Sequence, residues 1–182
     1  ALRKLEVTGE KGTGEFMLSF RPVVAWLDPA EKVSDAITDQ IISISKPGRY
    51  LFPECQVVID VQSVSDSVLC RPMLVWIPPG GFSTNKELTA DRYWDISFTG
   101  HAGTKMKASL LADPYFSFGG KLLKDSKTDP VKDTFILYYR KNTAGSWIQV
   151  PFGFYGSDEN LTFVPQPFRP GQYVLAVKPG AL

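Results

Sequence analysis

Hydrophobic and polar residues alternate with a period of two along most of this chain. In residues 55–62, Cys55, Val57, Ile59 and Val61 share one face, with Gln56, Asp60 and Gln62 on the other. Successive side chains of an extended chain point to opposite faces, so this is the pattern of a strand with one side in a core. Residues 72–77 are apolar on both faces, with Leu74 and Trp76 on one and Met73, Val75 and Ile77 on the other, as in a strand enclosed within a sandwich. In residues 93–98, Trp94, Ile96 and Phe98 alternate with Tyr93, Asp95 and Ser97. In residues 105–111, Met106, Ala108 and Leu110 alternate with Lys105, Lys107 and Ser109. Residues 135–140 and 172–178 complete the clearest set; 4–8, 15–20, 41–45, 147–152 and 161–164 are weaker candidates. Val57, Ile59, Leu74, Trp76, Ile96, Phe98, Met106 and Leu110 occupy the inward phase and form the predicted core.

Turn chemistry separates these runs. Lys46-Pro47-Gly48, Pro78-Pro79-Gly80-Gly81, Gly119-Gly120, Gly156-Ser157-Asp158 and Pro170-Gly171 stand where strands should end. Prolines 78, 79, 151, 165, 167 and 170 fall at run ends, where a missing ladder donor costs little. One helix is predicted. Asp28 is an N-cap, Pro29 a first-turn proline and Glu31 a capping-box acid, with Val33, Ile37 and Ile41 following at helical spacing through about Gln40. A second short helical turn is predicted near 85–90. Without alternating β–α units, the elements give an all-β fold: a Greek-key or jelly-roll sandwich with long connections at 80–92 and 116–134. The chain shows no repeat or linker, so residues 1–182 read as one domain.

Composition narrows the function. The chain has 182 residues, with 20 Lys and Arg against 19 Asp and Glu, a formal charge of +1. That balance argues against bulk-charge wrapping of nucleic acid and against polybasic membrane binding. No run approaches the roughly 18 apolar residues of a spanning helix, and residues 1–10 hold no secretory apolar region. The first residue is Ala1, which is compatible with methionine removal, trimming or release from a longer precursor. Cys55 and Cys70 are compatible with one disulfide closing 56–69 and with two buried thiols, the thiols being favoured. The triplet Asn160-Leu161-Thr162 is a glycosylation acceptor only in the secretory pathway, and otherwise an ordinary approach to a strand.

Candidate chemistry is sparse. With one histidine and two cysteines, most metal sites and nucleophile–histidine enzymes lack their parts. His101, in Thr99-Gly100-His101-Ala102-Gly103, reads as a turn residue; support from Asp95 or Asp113 would require the fold to bring them together. The carboxylates Asp28 and Glu31, and Asp158 and Glu159, sit in a helix cap and a turn, so they make poor glycosidase pairs. Gly9-Glu10-Lys11-Gly12-Thr13-Gly14 lacks the strand–loop–helix context and the Lys-Ser/Thr pair of a phosphate loop. Lys121, Lys124, Lys127 and Lys132 alternate with Asp125, Asp129 and Asp133 and form a solvated loop, with phosphate contact as the lesser reading. No catalytic, cofactor or metal residue is therefore assigned, and the chain is read as not an enzyme. The loop aromatics Phe116, Phe118, Phe152, Phe154 and Tyr155 are the candidate interface, flanked by glycine or proline and outside the clean alternations.

One ordered stretch carries more. Glu54-Cys55-Gln56-Val57-Val58-Ile59-Asp60-Val61 leads into Pro72-Met73-Leu74-Val75-Trp76-Ile77-Pro78-Pro79-Gly80-Gly81. Tyr93-Trp94-Asp95-Ile96-Ser97-Phe98 follows, and then Met106-Lys107-Ala108-Ser109-Leu110-Leu111-Ala112-Asp113-Pro114-Tyr115. This order resembles the central part of the picornavirus-like (Picornavirales) capsid jelly roll, over residues 49–117. The resemblance implies an eight-stranded antiparallel jelly-roll β-sandwich with one or two short helices. In it the four stretches correspond to the fourth to seventh strands, and residues 29–40 to the helix before them. It further implies a coat-protein subunit that assembles with copies of itself and sister jelly-roll subunits into an icosahedral virion around an RNA genome. RNA contact would be weak and through inner-face lysines, no membrane is involved, and assembly takes place in the host cytoplasm. The small size and alanine start resemble a plant secovirus coat protein of the cheravirus type, although the chain lacks a basic amino-terminal arm and its last third does not align. The alternative reading is a carbohydrate- or receptor-binding β-sandwich.

Overall fold

A computed structural model describes residues 17–21, 36–82, 87–88, 92–100, 105–112, 135–155 and 161–177. The chain divides into two compact units, Ala1–Val33 and Ser34–Leu182. Of the first, residues 17–21 are described, and they form no strand. The second is all-β. In chain order its strands are β1 (Ile37–Asp39), β2 (Ile42–Ile44), β3 (Gly48–Phe52), β4 (Val57–Ser63), β5 (Val68–Val75), β6 (Glu87–Leu88) and β7 (Tyr93–Gly100). They continue as β8 (Lys105–Ala112), β9 (Phe135–Arg140), β10 (Ile148–Val150), β11 (Phe152–Tyr155), β12 (Leu161–Pro165) and β13 (Gly171–Val177).

Two antiparallel sheets face each other, and they are built from shared arms of chain. β5 pairs with β7 from Val75↔Tyr93 to Val68↔Gly100. The same two arms pair again as β4 and β8, from Ser63↔Lys105 to Val57↔Leu110. A bulge between Val61 and Ser63 shifts the β4–β8 register by one residue. Two more arms follow the same plan. β13 pairs with β7 and β9, while β12 pairs with β8 and β11. One layer therefore runs β5-β7-β13-β9 and the other β4-β8-β12-β11, arm for arm. The short segments extend the margins: β1 and β2 pair with β5, β3 with β4, β10 with β9, and β6 with β13.

The core lies between the layers. Val57, Ile59, Leu110 and Phe163 from one sheet meet Leu74, Trp94, Ile96, Leu137 and Tyr173 from the other. Of the predicted core, Val57, Ile59, Leu74, Ile96 and Leu110 are fully buried, while Trp76, Phe98 and Met106 are half-buried against the same cluster. A smaller cluster (Ile136, Tyr138, Val174 and Ala176) lies on the outward phase of β9 and β13 and is packed by Phe82, Leu88, Tyr93 and Trp147. β9 is consequently buried along its whole length, which explains its continuous apolar run.

Several expectations are corrected. Among the described residues there is no helix. Residues 37–39 are strand β1, paired with Asp39↔Met73 to Ile37↔Val75, so the helical spacing of Val33, Ile37 and Ile41 was misleading. The edge of β5 offers a hydrogen-bonding ladder and a place for apolar side chains, which outweighs a weak local propensity. The first part of that predicted helix, 28–35, lies outside the described residues. In the second predicted helical turn, 87–88 is strand β6, and the rest lies outside. The strand at 72–77 begins four residues earlier than predicted and ends at Val75, leaving Ile77 half exposed. Among the described residues there are thirteen strand segments. In a ribbon rolled up end to end, the first and last arms become neighbours. Here the first central arm, β4–β5, pairs with β7–β8, and the last, β12–β13, lies between β7–β8 and β9–β11.

Candidate functional site

The densest polar chemistry among the described residues is a ladder on the outward face of the larger sheet. Gln172 on β13 is in register with Asp95 on β7 and with Arg140 on β9. All three sit on the face opposite Trp94, Tyr139 and Tyr173. Gln172 bridges the two charges: its Nε2–H donates to Asp95 Oδ2 at 2.7 Å, and its Oε1 accepts from Arg140 Nε at 2.6 Å. Gln172 is 3% and Arg140 5% exposed, so neither could be tolerated without such partners.

Close backbone approach makes the register possible. Gly171 has φ +143°, and a Cβ there would lie 2.6 Å from the Arg140 carbonyl oxygen and 2.7 Å from the Tyr139 ring. Only glycine brings β13 alongside the end of β9 at that point.

Arg140 is held from three sides. Its Nη1 donates to the Gly80 carbonyl at 2.7 Å, and the indole of Trp147 lies over its guanidinium carbon at 4.4 Å. Trp147 Nε1 reaches the same carbonyl at 3.4 Å, and Phe82 packs edge-on against both Trp147 and Tyr138. The result is an open cavity of about 600 Å³ lined by Gly80, Gly81, Tyr93, Arg140, Thr143, Gly145, Ser146 and Trp147. Burial raises the phenol pKa of Tyr93, with Asp95 adding to the rise and Arg140 opposing it. Tyr93 therefore stays a neutral hydroxyl at physiological pH.

A second cleft, of about 640 Å³, opens where the chain passes between the layers. Val68, Phe98, Met106, Val164, Pro165 and Phe168 make its walls apolar, with Lys105 and Lys107 also in its lining.

The sequence-assigned residues separate on inspection. Phe152 and Phe154 are not loop residues: they lie on β11 and are half-buried against the core. Phe154 stacks on Phe135 at 6.0 Å and lies 5.2 Å from Phe163; Phe152 lies 5.6 Å from Phe163. Tyr155 turns the other way and is 53% exposed, its hydroxyl 3.3 Å from that of Ser109. Phe116, Phe118, His101, Asp113, Asn160 and the lysine loop 119–132 lie outside the described residues.

Cys55 and Cys70 are both buried thiols, and the Cys55 Sγ–H points to the Pro72 carbonyl at 3.3 Å. Burial, with a smaller contribution from Cys55, pushes the Cys70 thiol up to about 12. No group of three or more His, Cys, Asp or Glu among the described residues is arranged to hold a metal.

Sequence reasoning missed Arg140, Gln172 and Trp147. The signal was a polar residue on the outward phase of β7, β9 and β13, but alternation does not say which strands are neighbours.

No family model, curated protein or solved structure matches this chain.

Proposed function

We propose that this chain is a structural coat-protein subunit, of the picornavirus-like type its central sequence resembles, that works by tiling against neighbouring subunits and not by catalysis. One observation carries the reading. Among the described residues of the second unit, the exposed large apolar ones lie mostly on edge strands: Ile37 on β1, Ile42 on β2, Leu51 on β3, Ile148 on β10 and Tyr155 on β11. These strands end both sheets. A free sheet edge presents unpaired backbone groups, and monomers normally blunt such edges with charge or proline. Apolar edges on both sides suit a molecule that is flanked on both sides in use.

On this reading the eight strands of the four arms, β5, β7, β13 and β9 in one layer and β4, β8, β12 and β11 in the other, are the jelly-roll elements, with the arms in a different spatial order from a simply rolled ribbon. β1, β2, β3, β6 and β10 are short additions. The partners are copies of the chain and sister subunits in a virion assembled in the host cytoplasm. A net charge of +1 leaves most neutralisation of genomic RNA to other chains.

Sedimentation and electron microscopy of the native assembly test this. Closed icosahedral particles are expected. A stable monomer at high concentration, with sister subunits present, would refute it. If that monomer bound glycans, it would establish the carbohydrate- or receptor-binding alternative instead.

A further inference from the structure

We infer that the Arg140 cavity is a recognition site for a carboxylate carried by an extended segment of another polypeptide chain. The inference stands on the cavity itself and holds whether or not the chain builds a shell.

The first observation is charge. Arg140 is 5% exposed, yet its hydrogen-bond acceptors among the described residues are both neutral: the side-chain oxygen of Gln172 and the carbonyl of Gly80. Asp95, the nearest acid of the ladder, is reached only through Gln172. Buried guanidinium groups ordinarily face a carboxylate.

The second observation is geometry. Nε and Nη1 are committed to protein acceptors, one face is covered by Trp147, and the group itself lines an open cavity. Nη2 is left without an acceptor among the described residues, and a guanidinium N–H at an open cavity suits an oxyanion. Thr143 and Ser146 supply hydroxyl groups on the cavity wall, and Tyr93 supplies a neutral phenol.

The third observation identifies the carrier. The cavity is formed largely by the turn that leads into β10, and β10 is the last strand of its sheet. An incoming extended peptide can add to that free edge and direct its carboxylate at Arg140, the combination used in strand-addition recognition. Nucleic acid fits less well. A phosphate chain needs a succession of cations along a groove, and Arg140 is the one cationic residue among the described residues of this lining.

The test uses the full chain and nitrogen–proton NMR of the Trp147 indole and Arg140 Nε–H signals. Four probes are titrated: the peptide acetyl-Thr-Val-Thr-Val with a free carboxylate, the same peptide as its C-terminal amide, inorganic phosphate and hexauridylate. We expect the free-acid peptide to shift both signals and to bind at least tenfold more tightly than the amide. Ser146→Glu, at an exposed position on the rim, should place a competing carboxylate over Arg140. It should lower free-acid peptide affinity at least tenfold without changing the melting temperature. Arg140→Lys should weaken binding by a similar factor in protein whose near-ultraviolet circular dichroism remains native. Equal binding of acid and amide, tighter binding of phosphate or hexauridylate, or no shift at 10 mM peptide would each overturn the inference.

Discussion

Truncating Phe154 and Tyr155 separately should give opposite results, although they are adjacent on β11. The Phe154 ring stacks on Phe135 at 6.0 Å and meets Phe163 at 5.2 Å, while Phe163 is fully buried. Full truncation of a buried phenylalanine costs about 3–5 kcal/mol. Phe154 is only half-buried, which reduces the transfer and cavity part to roughly half. The two lost ring pairs add about 0.5–1.5 kcal/mol each beyond area. Phe154→Ala should therefore cost roughly 2.5–5.5 kcal/mol. At about 2–4 °C per kcal/mol for a domain of this size, that is a fall in Tm of roughly 5–22 °C. Tyr155→Ala removes an exposed ring and one hydroxyl contact to Ser109, and should cost about 1 kcal/mol or less. Urea denaturation followed by tryptophan fluorescence measures both. On the coat-protein reading, Tyr155→Ala should nevertheless reduce assembly, seen as a loss of fast-sedimenting material. A Phe154→Ala protein as stable as wild type would refute the placement of that ring in the core. A Tyr155→Ala protein that loses 3 kcal/mol would refute its placement outside.

Four further outcomes follow from the same geometry. Ile59→Asp, which puts a carboxylate among fully buried neighbours, should leave no cooperative thermal transition. Gln172→Leu strands both Arg140 and Asp95 and should cost about 2–4 kcal/mol in urea denaturation. Stability should fall as pH rises from about 9 towards 12, because native Cys70, pushed up to about 12 by burial, keeps a proton that the unfolded thiol releases. Tyr139 and Tyr173, raised by burial as well, act in the same direction; denaturation midpoints at pH 8 and 10.5 check the sign. Leu51→Lys with Ile148→Lys, both on exposed margins, should leave Tm nearly unchanged while lowering assembly measured by sedimentation velocity.

Much of the architecture was legible in the order of residues. Period-two alternation marked the long central strands within a few residues, and the inward phase of β4, β7 and β8 was correct because one buried face forces that alternation. The proline and glycine clusters marked where those strands end. Of the short marginal strands, β2 and β10 fall inside the weaker candidates 41–45 and 147–152, whereas β1, β3 and β6 were not legible. Three residues such as Ile37-Thr38-Asp39 carry too little pattern to oppose a helical spacing, and only the free edge of β5 makes them extended. The fate of Phe152 and Phe154 was hidden for a similar reason. Their surroundings look like a loop until β12 places Phe163 beside them, after which both rings pack against the core. The Arg140 ladder depends wholly on tertiary structure. Asp95, Arg140 and Gln172 lie far apart in sequence, and each looks like an ordinary polar position on a half-buried strand. Strand order joins them, because β13 lies between β7 and β9 and Gly171 allows the close approach that puts Gln172 level with both charges. Alternation is local and fixes which way a side chain faces. Neighbourhood across a sheet is non-local, and it is decided only when the arms pair.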